Sequence, residues 1–563
     1  MNKLSLVCLF TVLFCLSVSG QTSSPPEPRG VITGRVLLDN GQPAVGATVS
    51  AQLQGRPARS ALTNAEGEFK LTGLTAAAYT LNAQLPAYVM TPLTTGLGEP
   101  QHFHSGDSAT IQMFKGGVIT GKVSSSADEP LPGLMVRAIR LRDAANRPAS
   151  PASYRRRTDD RGVYRIFGLP PGAYVICTDG TAVDWSFEAD DQVEDAPTYH
   201  PASTREAAIE LTLDDDDELT NIDIRYRAER GRRVSGKVVG ASVGFGINIY
   251  LKPAGGEALL ASDWIQVLNR KVESGLDFSF QGVADGEYDL AAERRNGDDE
   301  GAFAPPQRVT VRGADVGGIV LRLTPFASLA GKFVLEAPPA NQAPAKNACA
   351  NPRAARLEEA VLHLVAETAQ PHTGTLPTGY PSQQGEFSLR HLSARRYFVT
   401  TQLPSETWYL RALTRPDARP GQKVDLARTG LVLRAGEKLK DVTLTIGTNA
   451  ASLSGQLKAA AGQPLPARLR VHLVPAEPTA ADEALRFYER EATSNGTFAF
   501  QHLAPGKYWL LTRTLAAEES AMPLAWKAAE RARLRREAEA LNIKVELQPC
   551  QQVKDYILPH TTK

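Results

Sequence analysis

His102-Phe103-His104 is the pair whose spacing comes nearest to a chemical site. Two positions apart on an extended chain, both imidazoles fall on one side, as a strand-borne His-x-His metal site requires. Spacing places no further ligand near them, so a loop leading into a strand is the simpler reading. Asp214-Asp215-Asp216-Asp217 offers the carboxylates a hard cation favours, but neighbours on an extended chain point apart and the calcium-loop spacing is missing. A solvated charged turn is expected there. Trp185, Trp264 and Trp408 fall outside the apolar positions that recur along the chain and are the candidate aromatic faces for a sugar. Trp185 stands among Asp184, Glu188, Asp190 and Asp191. There is no Gly-x-Ser-x-Gly elbow for acyl transfer. There is also no His-x-x-Glu pair, because His363 is followed by Leu364-Val365-Ala366. No catalytic residue and no cofactor is expected.

The elements that must carry these residues are written five times. An aromatic is followed by an apolar residue two positions on, an aliphatic at five and a tyrosine at ten. The copies are Phe69/Leu71/Leu74/Tyr79, Tyr164/Ile166/Leu169/Tyr174, Phe278/Phe280/Val283/Tyr288, Phe387/Leu389/Leu392/Tyr397 and Phe498/Phe500/Leu503/Tyr508. Such recurrence means similar structural units in tandem. A second pattern opens each unit, with apolar residues two before and two after Gly34, Gly121, Gly236, Gly331 and Gly455. Alternation at period two predicts half-buried strands. A glycine inside a strand weakens it, so its recurrence points to close backbone approach or a bulge. The lysines after three of these glycines, Lys122, Lys237 and Lys332, should then point outward. Ala77 and Arg395 stand where the other units carry a turn glycine, so those two turns must differ or be strained.

Many short strands with turns between them predict an all-β chain of five tandem antiparallel β-sandwich modules. Two stretches read as helix: Asp482 to Arg490, and Leu524 to Leu541, where Leu534, Ala538 and Leu541 share a face. The second is expected to be a helical insertion packed on the last sandwich.

The first residues predict export. Lys3 precedes an apolar run from Leu4 to Val18, then Val18-Ser19-Gly20 offers a cleavage site before Gln21. Removing that leader leaves about 540 residues, too many for one core. No later stretch is long and apolar enough to span a membrane, so no transmembrane segment is expected after cleavage. With 62 basic and 61 acidic residues and no basic stripe, the chain is not expected to bind nucleic acid. Cys177 reads as a packed thiol in an apolar strand, whereas Cys349 and Cys550 lie in polar segments as a candidate disulfide joining the last two modules.

These residues resemble the carboxypeptidase regulatory-like domain family, a transthyretin-like sandwich grouped with carbohydrate-binding-like folds. The second unit carries the likeness in Thr158-Asp159-Asp160-Arg161-Gly162-Val163-Tyr164 and Gly168-Leu169-Pro170-Pro171-Gly172-Ala173-Tyr174. The first carries it in Val45-Gly46-Ala47-Thr48-Val49 and Thr63-Asn64-Ala65-Glu66-Gly67-Glu68-Phe69. The other three keep the apolar skeleton. The resemblance implies a non-catalytic extracellular or periplasmic module, and none of its matched residues is catalytic. The expected organisation is a signal peptide (1–20), a linker (21–29) and sandwiches at 30–117, 118–228, 229–325, 326–448 and 449–563, the last with the helical insertion. The expected function is a secreted, non-catalytic, multi-module binding or structural protein of the cell envelope or extracellular space, with envelope or extracellular proteins as partners. A carbohydrate-binding protein using loop aromatics, with glycan partners, is one alternative. A metal-dependent enzyme near His102 and His104 is the other.

Overall fold

The structure, a computed structural model, describes residues 30–560 apart from 96–98, 145–152, 179–194, 241–246, 255–269, 273–274, 297–298, 337–348, 350–353, 368–375, 418, 460–463, 467 and 516–522. The signal peptide and linker at 1–29, and Trp185 and Trp264, lie outside the described residues.

The chain is all-β, and each repeat forms one sandwich around its own apolar core. The five main cores run from Ile32 to Met113, Ile119 to Ile224, Val234 to Leu323, Ala327 to Ile446 and Ala451 to Leu558. The pattern residues are in them because strand alternation sends positions i and i+2 to the same face. Phe69 and Leu71, for example, are 4% and 1% exposed.

Within each unit the opening strand lies between the aromatic strand and the closing strand. Its pairing with the aromatic strand is antiparallel, and each opening glycine sits directly opposite the pattern aromatic: Gly34 with Phe69, Gly121 with Tyr164, Gly236 with Phe278, Gly331 with Phe387 and Gly455 with Phe498. Its pairing with the closing strand is parallel in all five units. Thus the antiparallel sandwich expected from sequence carries one parallel ladder per unit. A parallel pair needs a long crossover, and the strands of the second sheet supply it.

That ladder explains the glycine. A Cβ at Gly34, Gly121, Gly236, Gly331 or Gly455 would collide with a carbonyl oxygen of the closing strand, from Ala109, Ile222, Ile319, Val442 and Tyr556 respectively. In the last three units the parallel register also shifts just before the glycine. Close approach and a bulge therefore occur together. Lys122, Lys237 and Lys332 are exposed, as the alternation requires.

The tyrosine ends the skeleton by bonding to its own turn. Tyr79, Tyr174, Tyr288, Tyr397 and Tyr508 each donate their hydroxyl to the carbonyl four residues earlier, at 3.2, 2.6, 2.9, 3.0 and 2.7 Å. A buried hydroxyl without a partner would cost about 1–3 kcal/mol, so this short-range bond lets the ring be buried. Ala77 and Arg395 are not among the residues with positive φ, so their turns differ from the glycine-bearing ones rather than being strained.

Two units depart from the repeat. The third forms one continuous seven-stranded sheet, because the strand Asp299–Val311 pairs with both Gly286–Asn296 and Val316–Pro325. In the fifth, the helix Ala528–Leu541 packs Leu534 and Ala538 against Val474, Trp509 and Leu511 on the outer face of the sandwich, as expected. The Asp482 to Arg490 reading is corrected. Only Ala484–Arg486 makes a 3-10 turn, and Tyr488–Glu491 is an edge strand on Leu469–Pro475, where sheet pairing overrides helix propensity.

Candidate functional site

The two histidines lie in a seam between the first and fourth units. In the strand Val361–Ala366, Leu362, Leu364 and Ala366 enter the fourth core, so His363 faces out. In its neighbour Arg396–Gln402, Tyr397 enters the core, and Phe398, Thr400 and Gln402 face out. Residues 99–104 of the first unit cover the Thr400 and Gln402 end of this face. Phe398 at the other end stacks on Trp526 of the fifth-unit insertion, with ring centroids 4.4 Å apart. The cover buries His363 completely, and leaves Glu99, His102 and His104 at 3%, 7% and 6% exposure.

Backbone groups fix the hydrogen bonds of the seam. The His102 amide donates to Gln402 Oε1 at 3.0 Å, and Gln402 Nε2 donates to the Pro100 carbonyl at 2.8 Å. The side-chain amide can therefore point only one way. Its Nε2 also lies 3.0 Å from His363 Nε2, which must accept, so the His363 proton sits on Nδ1 and faces Thr378 Oγ1 at 3.1 Å. His102 Nδ1 donates to Gln402 Oε1 at 3.3 Å, and its Nε2 accepts from the Tyr380 hydroxyl at 3.3 Å. His104 Nε2 donates to the Glu359 carbonyl at 2.8 Å, and its Nδ1 is 3.2 Å from Asp107. The Glu99 carboxyl takes hydrogen bonds from Thr95 and Thr400.

Burial disfavours charge on His363, His102, Glu99 and Tyr380. It pushes the pKa of His363 down to about 4. It does the same to His102, with the neighbouring His363 ring, centroid 5.6 Å away, as the next cause. Burial also raises Glu99 and Tyr380.

The sequence candidates separate accordingly. Both ring nitrogens of His102 and of His104 are committed to protein partners, and the two rings face different ones. Among the described residues no group of three or more His, Cys, Asp and Glu is arranged to hold a metal ion. Trp408 is corrected as a candidate sugar platform. It is 5% exposed within the fourth core, and its carbonyl accepts from His502 Nδ1 at 2.8 Å. Cys349 and Cys550 form a disulfide across 201 residues, and Cys177 is buried. Asp214 to Asp216 are exposed in a turn, where Asp216 pairs with Lys115.

Sequence reasoning missed Glu99, His363, Tyr380, Thr400 and Gln402 as members of this site. One signal was available for His363: Val361-Leu362-His363-Leu364-Val365-Ala366 is apolar on both faces, which is how a strand covered on both sides reads.

Residues 31–101 match the family model of the carboxypeptidase regulatory-like domain. The match covers the first sandwich up to, but not including, its closing strand Ser108–Lys115, and ends within the segment that enters the seam. No curated protein matches the chain. Among solved structures, the Bacillus anthracis TIE protein aligns at 12% identity with a TM-score of 0.13, over 52% of this chain and 51% of its own length. The chain thus spans about half of that relative. The shaft pilin SpaA of Lactobacillus rhamnosus GG aligns at 11% identity, 35% and 98% coverage and a TM-score of 0.17. The streptococcal ancillary pilin aligns at 11% identity, 53% and 99% coverage and a TM-score of 0.15. Likenesses this weak support no inference about function.

Proposed function

We propose that the chain is a secreted, non-catalytic, multi-module binding or structural protein of the cell envelope or extracellular space. Its modules would span 30–117, 118–228, 229–325, 326–448 and 449–563, following a signal peptide at 1–20. One observation carries this reading: the residues with the most chemical potential are engaged in holding the units, or the contacts between them, together. The His102 and His104 rings are occupied by the seam, Trp408 is in a core, and the repeated tyrosines bond to their own turns. Export favours the same reading, since a disulfide suits an oxidising compartment. Among the described residues no helix is long and apolar enough to cross a membrane, a statement that leaves β-barrels aside.

Crosslinking and pull-down from the native envelope, with a glycan array run beside them, test the proposal. The expected result is saturable capture of a defined envelope protein by the intact chain. Array binding lost in Trp185→Ala or Trp264→Ala would replace it with carbohydrate recognition. A metal that copurifies and is lost in His102→Ala would replace it with a metal-dependent enzyme.

A further inference from the structure

The seam between the first and fourth units is completed by a hydrogen bond from Gln402 that requires a neutral imidazole at His363. We propose that it is an acid-released clasp: a proton on His363 Nε2 opens it and frees the first unit to move away from the fourth.

Gln402 sets the polarity of the seam. Two backbone groups of the first unit, the His102 amide and the Pro100 carbonyl, hold its side chain in one orientation. The Gln402 Nε2 that faces His363 is therefore always a donor. A proton added to His363 Nε2 sets donor against donor at 3.0 Å, and an attraction becomes a repulsion. The amide cannot flip in response, because that would oppose its nitrogen to the His102 amide and its oxygen to the Pro100 carbonyl. A charge on His102 adds to the effect, since its ring is the nearest aromatic neighbour of His363 across the seam.

The surrounding charged groups do not supply a counter-ion. From the first unit, Asp107 is engaged with His104 Nδ1 and with the His104 amide. From the fourth, Glu359 accepts from the Arg356 amide at 3.0 Å, and Tyr380 is neutral. From the fifth, Arg490 places positive charge toward Glu99. Glu99 itself works against release. Burial raises its pKa, so its protonation in acid favours the closed seam. The imidazoles have the opposite sign. With folded values near 4 against an ordinary 6.5, their contribution to closure is complete above pH 6.5 and is lost as pH falls toward 4. Two rings against one carboxyl give release in acid.

Hydrogen exchange on the full chain, with its disulfide intact, reads the clasp directly. The reporter is the His102 amide, which donates across the seam. After correction for intrinsic rates, its protection should fall by about a hundred-fold between pH 7.5 and 4.5 and recover on return to 7.5. Amides of Gly506–Thr514, a core strand of the fifth unit, should not change. His363→Gln keeps an acceptor for Gln402 and does not titrate, so it should retain most protection at pH 4.5. Equal wild-type protection at both pH values would overturn the proposal, and so would a loss in His363→Gln as large as in wild type. If that variant fails to fold, Gln402→Ala decides. It should be unprotected at pH 7.5 as well as 4.5, and full protection at 7.5 would overturn the clasp. A chelator should leave wild-type protection at pH 7.5 unchanged. Loss on chelation would mean that metal, not these hydrogen bonds, closes the seam.

Discussion

Tyr397 and His363 lie on neighbouring strands of one sheet in the fourth unit, and each buries a polar atom, yet they serve different ends. Tyr397 faces the core and finds its partner four residues away, at the Ser393 carbonyl. His363 faces outward and meets Gln402, which is itself bound to Pro100, 302 positions away in sequence. The first bond recurs in all five units and makes each fold. The second occurs once and sets where two finished units lie against each other. Burial pushes both groups toward their neutral forms. A tyrosine is neutral throughout the acid range, whereas an imidazole is neutral only above its pKa. The repeated polar contacts are thus insensitive to acid, and the unique ones are not.

The units' junctions show the same division. One position, just before the aliphatic of each pattern, has positive φ in every unit. It is Gly73, Gly168, Gly282, His391 and His502. In the second and third units, where it is glycine, backbone meets backbone: Gly116 on Gly168 and Gly231 on Gly282. In the last two units a histidine accepts the left-handed conformation and uses its ring across the junction. His391 packs edge-on to Phe326, which stacks on Phe303 of the third unit, and His502 bonds to the Trp408 carbonyl of the fourth.

The contrast between contacts within a unit and contacts between units can be broken in order of expected effect. Cys349→Ser should cost about 5 kcal/mol on the chain-entropy account of a loop this long, read as an earlier unfolding transition of the last two units in denaturant. Gly331→Ala, which drives a Cβ into the Val442 carbonyl, should cost the fourth unit about 3 kcal/mol or more in the same assay. In acid the seam loosens between the first and fourth units. Each of His102 and His363, shifted from 6.5 to about 4, withdraws at most about 3 kcal/mol of closure as pH falls through that window. Glu99→Gln, by removing the opposing carboxyl, should make the dependence steeper. Tyr508→Phe should cost about 1 kcal/mol, seen as a small shift of the fifth-unit transition midpoint that does not vary between pH 7 and 4.5.

Contacts that are local or repeated were legible in the sequence. The opening glycines and the recurring aromatic and tyrosine positions are visible as repeats in the sequence. The parallel closing ladder was not legible, because strand direction leaves no mark on the closing residues themselves. The stretch from Asp482 to Arg490 reads as helix by composition, but an edge strand forms where Leu469–Pro475 offers an unpaired backbone. The seam was the least legible. His102 and His104 stood out by spacing, but the groups they meet lie some 255 to 300 positions away. Nothing local to Gln402 marks it as the residue that joins two units.

Small-angle scattering of wild type and Gln402→Ala at pH 7.5 tests most directly whether these residues hold units together. The variant should show a larger maximum dimension, with the unfolding of its individual units unchanged. Superimposable profiles would contradict it, since the first unit would then be held in place without the Gln402 contacts.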